Sequence, residues 1–401
     1  MKRTFLHLFF AGLLALGLTA CTGEDVEAPV NRRVVLMYAA AFNNLSSYIS
    51  EDIDELCAGN VPALGSGDIL LVYSHLPVHS GVFGIATSPV LFRAYRDAEG
   101  HNRKDTLVIY PDSDISSRPE TLRKVLNDVA GLFPARHYGM IVSSHAKGWI
   151  PAGYSEPSSS IFGIDAGPHK EYPPTKELCI ENVQNSGIEM TELNEAIPFK
   201  LDFLIIDACL MACVETAYEV KDKVDFFVAS PTEVLSNGLM YTTMAPLLTN
   251  TAEPDLRTVC EQYFNYYLTQ TGYYQSATIT MVDCRKLDAL ASACKAIIDS
   301  RRDVMASMDR NAVQKYFYNS FHWFYDLRDL LAKTEPSSAQ LEELDRALSD
   351  CILYCAYTEK FFDVELKNIC GLSMYYPIPT STELNKFYKQ LSWNKATGLI
   401  Q

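Results

Sequence analysis

Residues 202–220 read DFLIIDACLMACVETAYEV. The apolar run Leu204-Ile205-Ile206 stops abruptly at Asp207, Ala208 and Cys209, and a helical pattern is expected from Met211 onward. Such a strand-to-helix junction is where an α/β fold presents a nucleophile. A second apolar run, Tyr138 to Ser144, ends in the same way at His145, followed by Ala146, Lys147, Gly148 and Trp149. If the two strands are neighbours in a parallel sheet, the thiol and the imidazole both emerge at its carboxyl edge, where open α/β sheets do their chemistry.

The rest of the chain supports that fold class. Strands are expected at Arg33–Ala39, Asp68–Ser74, Val90–Tyr95, Thr106–Tyr110, Tyr138–Ser144, Asp202–Asp207 and Asp225–Ser230. Several are continuous Val/Ile/Leu runs, which fit strands buried on both faces of a mostly parallel sheet. Amphipathic segments at Ser47–Leu56, Arg118–Leu132, Thr191–Ile197 and Met211–Val220 fit crossover helices. In the second of these, Pro119 lies at the expected start and Leu122, Val125, Leu126 and Val129 share one face. Between the two chemistry-bearing strands lies a Pro- and Ser-rich segment from Ile150 to about Ile188, the kind of long insertion that borders an active site or is processed. After Asn237 the pattern turns to long helices, Pro254–Thr271, Lys286–Met308 and Gln340–Thr358, with one late strand at Cys370–Pro377. The expected organisation is therefore a leader at 1–20, a tether at 21–31, an α/β core at 32–250, and a helical C-terminal region at 251–401 that leans on or completes the sheet.

The chain has 401 residues, 48% of them hydrophobic, enough for a large core. Lys2 and Arg3 precede an apolar stretch from Phe5 to Leu18, too short to span a bilayer and suited to a secretory signal. It closes with Leu18-Thr19-Ala20-Cys21, which resembles a bacterial lipobox; that resemblance implies lipidation at Cys21 and a membrane anchor. The acidic stretch Thr22–Asn31 suits a tether, and its Glu24, Asp25 and Glu27 resemble surface-export signals. An exported, lipid-anchored envelope protein, in the outer membrane, is expected. Removing Lys2 and Arg3 takes the net charge from -15 to -17, which disfavours nucleic acid as a partner and favours basic substrates.

Eleven cysteines are present, and lipidation of Cys21 leaves ten with irregular spacing. Most should behave as small core hydrophobes. Cys209/Cys213 and Cys351/Cys355 do not match a C-x-x-C metal or redox spacing, so no metal is expected. No Gly-rich phosphate loop is found.

A thiol attacks carbonyls well as thiolate, which calls for a neighbouring base or a positive field. His145 is the candidate base for Cys209. The expected helix from Met211 would add the positive end of its dipole, and the backbone N–H of Cys209 with one from the turn at Ala146 would hold a developing oxyanion. Taken alone, a cysteine at a strand end is more often a buried hydrophobe, and His145 a core histidine.

Residues 202–220 resemble the catalytic segment of clostripain-like cysteine peptidases, which share the caspase-type α/β sandwich. Asp207, Cys209, Met211, Glu215 and Tyr218 stand at that family's motif positions. IVSSHAKGW, at 141–149, resembles its histidine segment, commonly H-G-x-G-W, and VVLMYAAAFNNLSSY, WFYDLRDLL and GLSMYYP follow the family order. The resemblance implies a cysteine endopeptidase acting on peptides or proteins, with Cys209 as nucleophile and His145 as base. It further implies that Asp207 helps bind a basic side chain, with Ser230 and Glu233 in the pocket region. No cofactor is implied, although clostripain itself leaves room for Ca2+; no EF-hand-like loop occurs here. Relatives also cut themselves between His and Cys, and the candidate bonds here follow Lys170 and Lys176. Two departures stand out: Ala146 replaces a Gly, and Ser230-Pro231-Thr232-Glu233 replaces a Ser-Glu-Glu pattern. They motivate an alternative, a non-catalytic envelope binding protein on a decayed peptidase fold.

Overall fold

The computed structural model describes residues 30–77, 87–152, 154, 172–175, 187–317 and 323–401. Cys21 and the tether up to residue 29, Lys170 and Lys176 lie outside these residues, while Asn31, expected to end the tether, begins the first strand. Strands β1 (Asn31–Ala40), β2 (Asp68–His75), β3 (Val90–Arg96), β4 (Asn102–Ile109), β5 (Ala135–Ser143), β6 (Leu201–Asp207) and β7 (Val224–Ala229) overlap the seven expected runs, with β4 starting four residues and β5 three residues earlier than expected. Five of them, in the spatial order β7-β6-β5-β1-β2, are mutually parallel. Of these, β1, β2 and β6 are almost wholly buried, as their unbroken Val/Ile/Leu runs require. Flanking strands extend the sheet antiparallel: β3 and β4 beyond β2, and β8 (Thr278–Asp283) beyond β7.

Helices cover both faces. On one, α1 (Ser46–Ala58) packs on α5 (Tyr241–Thr249), which packs on α6 (Leu256–Leu268). On the other, α2 (Pro119–Leu132), α3 (Met190–Ala196) and α4 (Val214–Val220) follow one another, continued by α7 (Leu287–Ser307) and the C-terminal helix at Ser392–Thr397. Helix α2 begins at Pro119, whose missing N–H costs nothing in a first turn, and buries Leu122, Val125, Leu126 and Val129 as their spacing dictates. These are the two helical layers of a doubly covered α/β sheet, with the five parallel strands carrying the core between them.

The C-terminal third differs from a helical pattern in an instructive way. The helix expected over Gln340–Thr358 starts with a capping box, Ser337 with Gln340, and stops at Cys351. The next residues, Ile352–Tyr357, run as a strand antiparallel to β8 and close that edge of the nine-stranded sheet. The run ILYCAY has the aromatic and branched content of a strand, and its junction with the helix carries no Gly or Pro to mark it. The late strand is short: Ser373–Met374 pairs with Tyr325–Asp326 rather than joining the main sheet.

Candidate active site

The parallel register decides what the two strand ends bring together. Ser143 of β5 is the pairing partner of Asp207 of β6, so His145 and Cys209 each lie two residues beyond a matched pair at the carboxyl edge of adjacent strands. Strand β1 ends beside them, with Ala39 opposite Ser143. The chain leaving β1 places Asn44 so that its side-chain oxygen lies 2.7 Å from His145 Nε2. With that oxygen assigned toward the ring, Nε2 carries the proton, and Nδ1 is the basic nitrogen of the neutral imidazole. Asn44 was not singled out from the sequence; its signal is its place in FNNLSSY directly after a strand of the same sheet edge.

Helix α4 starts at Val214, later than expected from the sequence, because residues 208–213 form a turn. Leu210 takes a positive φ of 63° there. The amide of Leu210 donates to Thr232 O at 2.8 Å and that of Ala212 to Ser230 O at 2.9 Å, so the loop after β7 fastens the turn. Ser373 N donates to Ala212 O at 3.0 Å, adding a third strap from the C-terminal region. The expected helix-dipole contribution to Cys209 is corrected accordingly. Cys209 precedes a seven-residue helix by a whole turn of non-helical chain, and the dipole effect fades within a turn of the helix end.

Cys209 is fully buried, and its Sγ accepts from Val234 N at 3.2 Å. Asp207 is buried as well and accepts from Tyr241 Oη of α5 at 2.7 Å. Burial and the neighbouring Asp207 push the Tyr241 hydroxyl well above its ordinary range, so it stays a donor. Glu233, next to Val234, is also buried. Ser230 turns inward: its hydroxyl lies 2.8 Å from Thr278 Oγ1 and 3.1 Å from Thr232 O, which makes it a brace of the loop rather than a pocket wall. Ala146 is half-buried beside His145. Two buried carboxyl groups thus neighbour this arrangement along the chain, Asp207 at the end of β6 and Glu233 beside the Val234 that meets Sγ.

The His turn and the Cys turn touch. Gly148 has a φ of 59°, and a Cβ built there would meet Leu210 O and the Phe324 ring, both at 2.7 Å. Trp149 follows, fully buried, with its ring 4.6 Å from that of Tyr375 and 4.8 Å from that of Tyr388. Those two residues converge on Glu215 of α4, whose Oε1 accepts from Tyr375 N at 2.8 Å and Tyr388 Oη at 2.6 Å. Burial pushes the Glu215 carboxyl up to about 7. The segments around residues 36–50, 141–149, 202–220, 323–331 and 371–377 are therefore one connected structure around Cys209.

The sequence matches the clostripain family of peptidases (Peptidase_C11) over residues 37–397. The chain belongs to the clostripain family. Its fold is similar to that of an inactive zymogen C11 protease from Parabacteroides distasonis, with 25% identity, 92% of this chain and 99% of that one covered, and a TM-score of 0.75. A secreted C11 cysteine protease from Bacteroides thetaiotaomicron, iotapain, matches with 22% identity, 92% and 100% coverage and a TM-score of 0.74. A secreted C11 cysteine protease from the same organism, in complex with an irreversible peptide inhibitor, gives 23%, 91% and 98%, and 0.72. A comparison with curated proteins found no match. The clostripain-family chemistry of thiol and imidazole needs no cofactor, and among the described residues no group of three or more His, Cys, Asp or Glu side chains could hold a metal.

Proposed function

We propose that this clostripain-family protein is a cell-envelope cysteine endopeptidase that cuts after Arg or Lys. The observation that carries the proposal is the β5–β6 register, Ser143 opposite Asp207, which brings the strand ends leading to His145 and Cys209 to the same carboxyl edge. His145 takes the thiol proton, and Sγ attacks the peptide carbonyl. As the tetrahedral intermediate collapses, the C–N bond breaks and His145 gives its proton to the departing amine. Water, deprotonated by His145, then hydrolyses the acyl-enzyme and returns the thiol. Backbone N–H groups of Cys209 and of the Ala146 turn are the oxyanion donors. Asp207, with Glu233 from the loop after β7, draws a guanidinium or ammonium toward the thiol.

The lipobox-like end of the leader supports lipidation at Cys21 and residence in the outer membrane. Incorporation of a fatty-acid label that disappears in Cys21→Ser tests this; unchanged labelling defeats it. The test of activity is hydrolysis of Arg- and Lys-containing peptides by protein lacking residues 1–21. Loss in Cys209→Ala and in His145→Ala supports the dyad, and hydrolysis that persists in purified Cys209→Ala defeats it.

The complete burial of Cys209 favours one second reading, a binding protein on a peptidase fold that no longer turns over. A folded protein whose Cys209 stays inert to a thiol-reactive peptide probe, before and after limited proteolysis, would establish it.

A further inference from the structure

A cavity of about 220 Å³ opens beside the His turn, on the sheet face opposite Asp207. Its sheet floor comes from Met140, Val142, Leu204 and Ile206, and its far wall from Leu122 of α2 and Leu193 of α3. Side chains of a strand alternate between faces, so these floor residues point away from the side on which Ser143 and Asp207 meet α5. His145 and Ala146 from one turn and Ala208 and Met211 from the other also line it. Cys209 and Asp207 are not among the described lining residues. Nor are any carboxylates or arginines; Lys147 is there, and its Nζ donates to Tyr154 O at 3.4 Å. An engineered apolar cavity of about 150 Å³ holds benzene, so this one has room for a leucine or phenylalanine side chain.

Two independent constraints fix which substrate residue reaches it. His145 protonates the leaving amine, so a cavity that borders His145 without bordering the thiol lies on the leaving-group side. Successive residues of an extended peptide also point to opposite faces. When the residue before the scissile bond faces Asp207, the residue after it faces the α2–α3 side. We propose that this cavity is the subsite for a large apolar side chain on the residue that supplies the leaving amine, an assignment that rests on the cysteine-peptidase function proposed above. A guanidinium entering the chamber would lose its hydration without gaining a charge partner. For a carboxylate the described lining offers Lys147, whose Nζ already donates to Tyr154 O. An apolar side chain is therefore favoured, and the enzyme cuts between a basic and a bulky apolar residue.

Internally quenched peptides test this, because the residue after the scissile bond is then an amino acid rather than a dye. Peptides with a common Lys before the bond and Leu, Phe, Gly or Asp after it should rank Leu and Phe above Gly by roughly tenfold or more in kcat/KM, with Asp lowest. Ala152 and Ile188 line the cavity; Ala152→Trp and, separately, Ile188→Trp should plug it. Each should erase the Leu and Phe advantage while sparing the Gly peptide. A flat or polar preference in the wild type overturns the subsite, as does an apolar preference that survives a plug in protein still cutting the Gly peptide. If neither plugged variant folds, the wild-type ranking decides alone. Failure to cut any peptide overturns the peptidase function itself, and the subsite with it, which separates the two failures.

Discussion

Replacing Gly148 by Ala should disable catalysis as well as destabilise the fold. At a φ of 59° an alanine is held in the left-handed region, a strain of about 1–2 kcal/mol. The added Cβ also sits 2.7 Å from both Leu210 O and the Phe324 ring. Overpacking of that kind costs about 1–3 kcal/mol when the neighbours hold still. Leu210 is tied by its amide to Thr232 O at 2.8 Å, so the freer partner is the His turn, and the shift falls on the placement of His145 against Cys209. A misplacement on the order of 1 Å can cost about 100-fold. The expected result is a kcat reduced at least about tenfold, with KM little changed and a urea midpoint lowered in line with a loss of about 2–5 kcal/mol. Gly100→Ala is the control: it carries the same kind of φ strain, at 87°, with nothing within 4 Å of its Cβ. It should lose stability but no activity. A Gly148→Ala enzyme with kcat within about twofold of wild type, or a Gly100→Ala enzyme equally inactive, would refute the coupling between the two turns.

Asn44→Ala removes the acceptor on His145 Nε2, and kcat should drop about two- to tenfold while peptide KM holds; a change confined to KM would place Asn44 in substrate binding instead. Glu215 has a carboxyl raised to about 7 by burial, above its ordinary 4.5. Its contribution is therefore fully present below about pH 4.5 and lost as pH rises through 7, on the order of 3 kcal/mol. Chemical unfolding of wild type and Glu215→Gln across pH 4–9 should show the wild type losing stability relative to the variant over that window, and parallel curves would contradict the assignment. Thr175 forms an antiparallel bridge with Leu235, and Ser236 N donates to Pro174 O at 2.9 Å. The peptide leading into Lys176 therefore runs beside the loop that cradles Cys209. Self-cleavage, read by mass spectrometry, should create a new N-terminus at Glu177 and vanish in Lys176→Ala, whereas cleavage only after Lys170 would sever that link.

Strands β1, β2 and β6 and the α2 crossover were legible because buried parallel strands are written as unbroken apolar runs, and because a helix face repeats its apolar residues. That the strands leading to His145 and Cys209 end at one sheet edge was legible for a related reason: both are apolar runs of a parallel sheet and stop in the same way. Residues beyond the regular elements were harder to read. The turn at 208–213 held a helix-compatible pattern, and its true shape comes from hydrogen bonds supplied by Thr232, Ser230 and Ser373, distant in sequence. The strand at Ile352–Tyr357 followed its helix without punctuation, so periodicity ran straight through the boundary. Strand β8, TITMVD, did carry a β-branched, alternating signal that the neighbouring helices masked. Burial was invisible at every site residue. Asp207 reads from its motif as a cation binder, yet its immediate partner is Tyr241, and Ser230 reads as pocket lining while bonding Thr278. Asn44 depends wholly on tertiary placement.

The most direct test of the account is covalent capture of the thiol. Protein lacking residues 1–21 is treated with a thiol-reactive peptide carrying Lys at its reactive end, then digested and mapped by mass spectrometry. The account predicts a single adduct on Cys209, strongly slowed in His145→Ala and out-competed by a Lys peptide substrate. Label on other cysteines with Cys209 unmodified in folded protein, or an adduct whose rate is indifferent to His145, would contradict it.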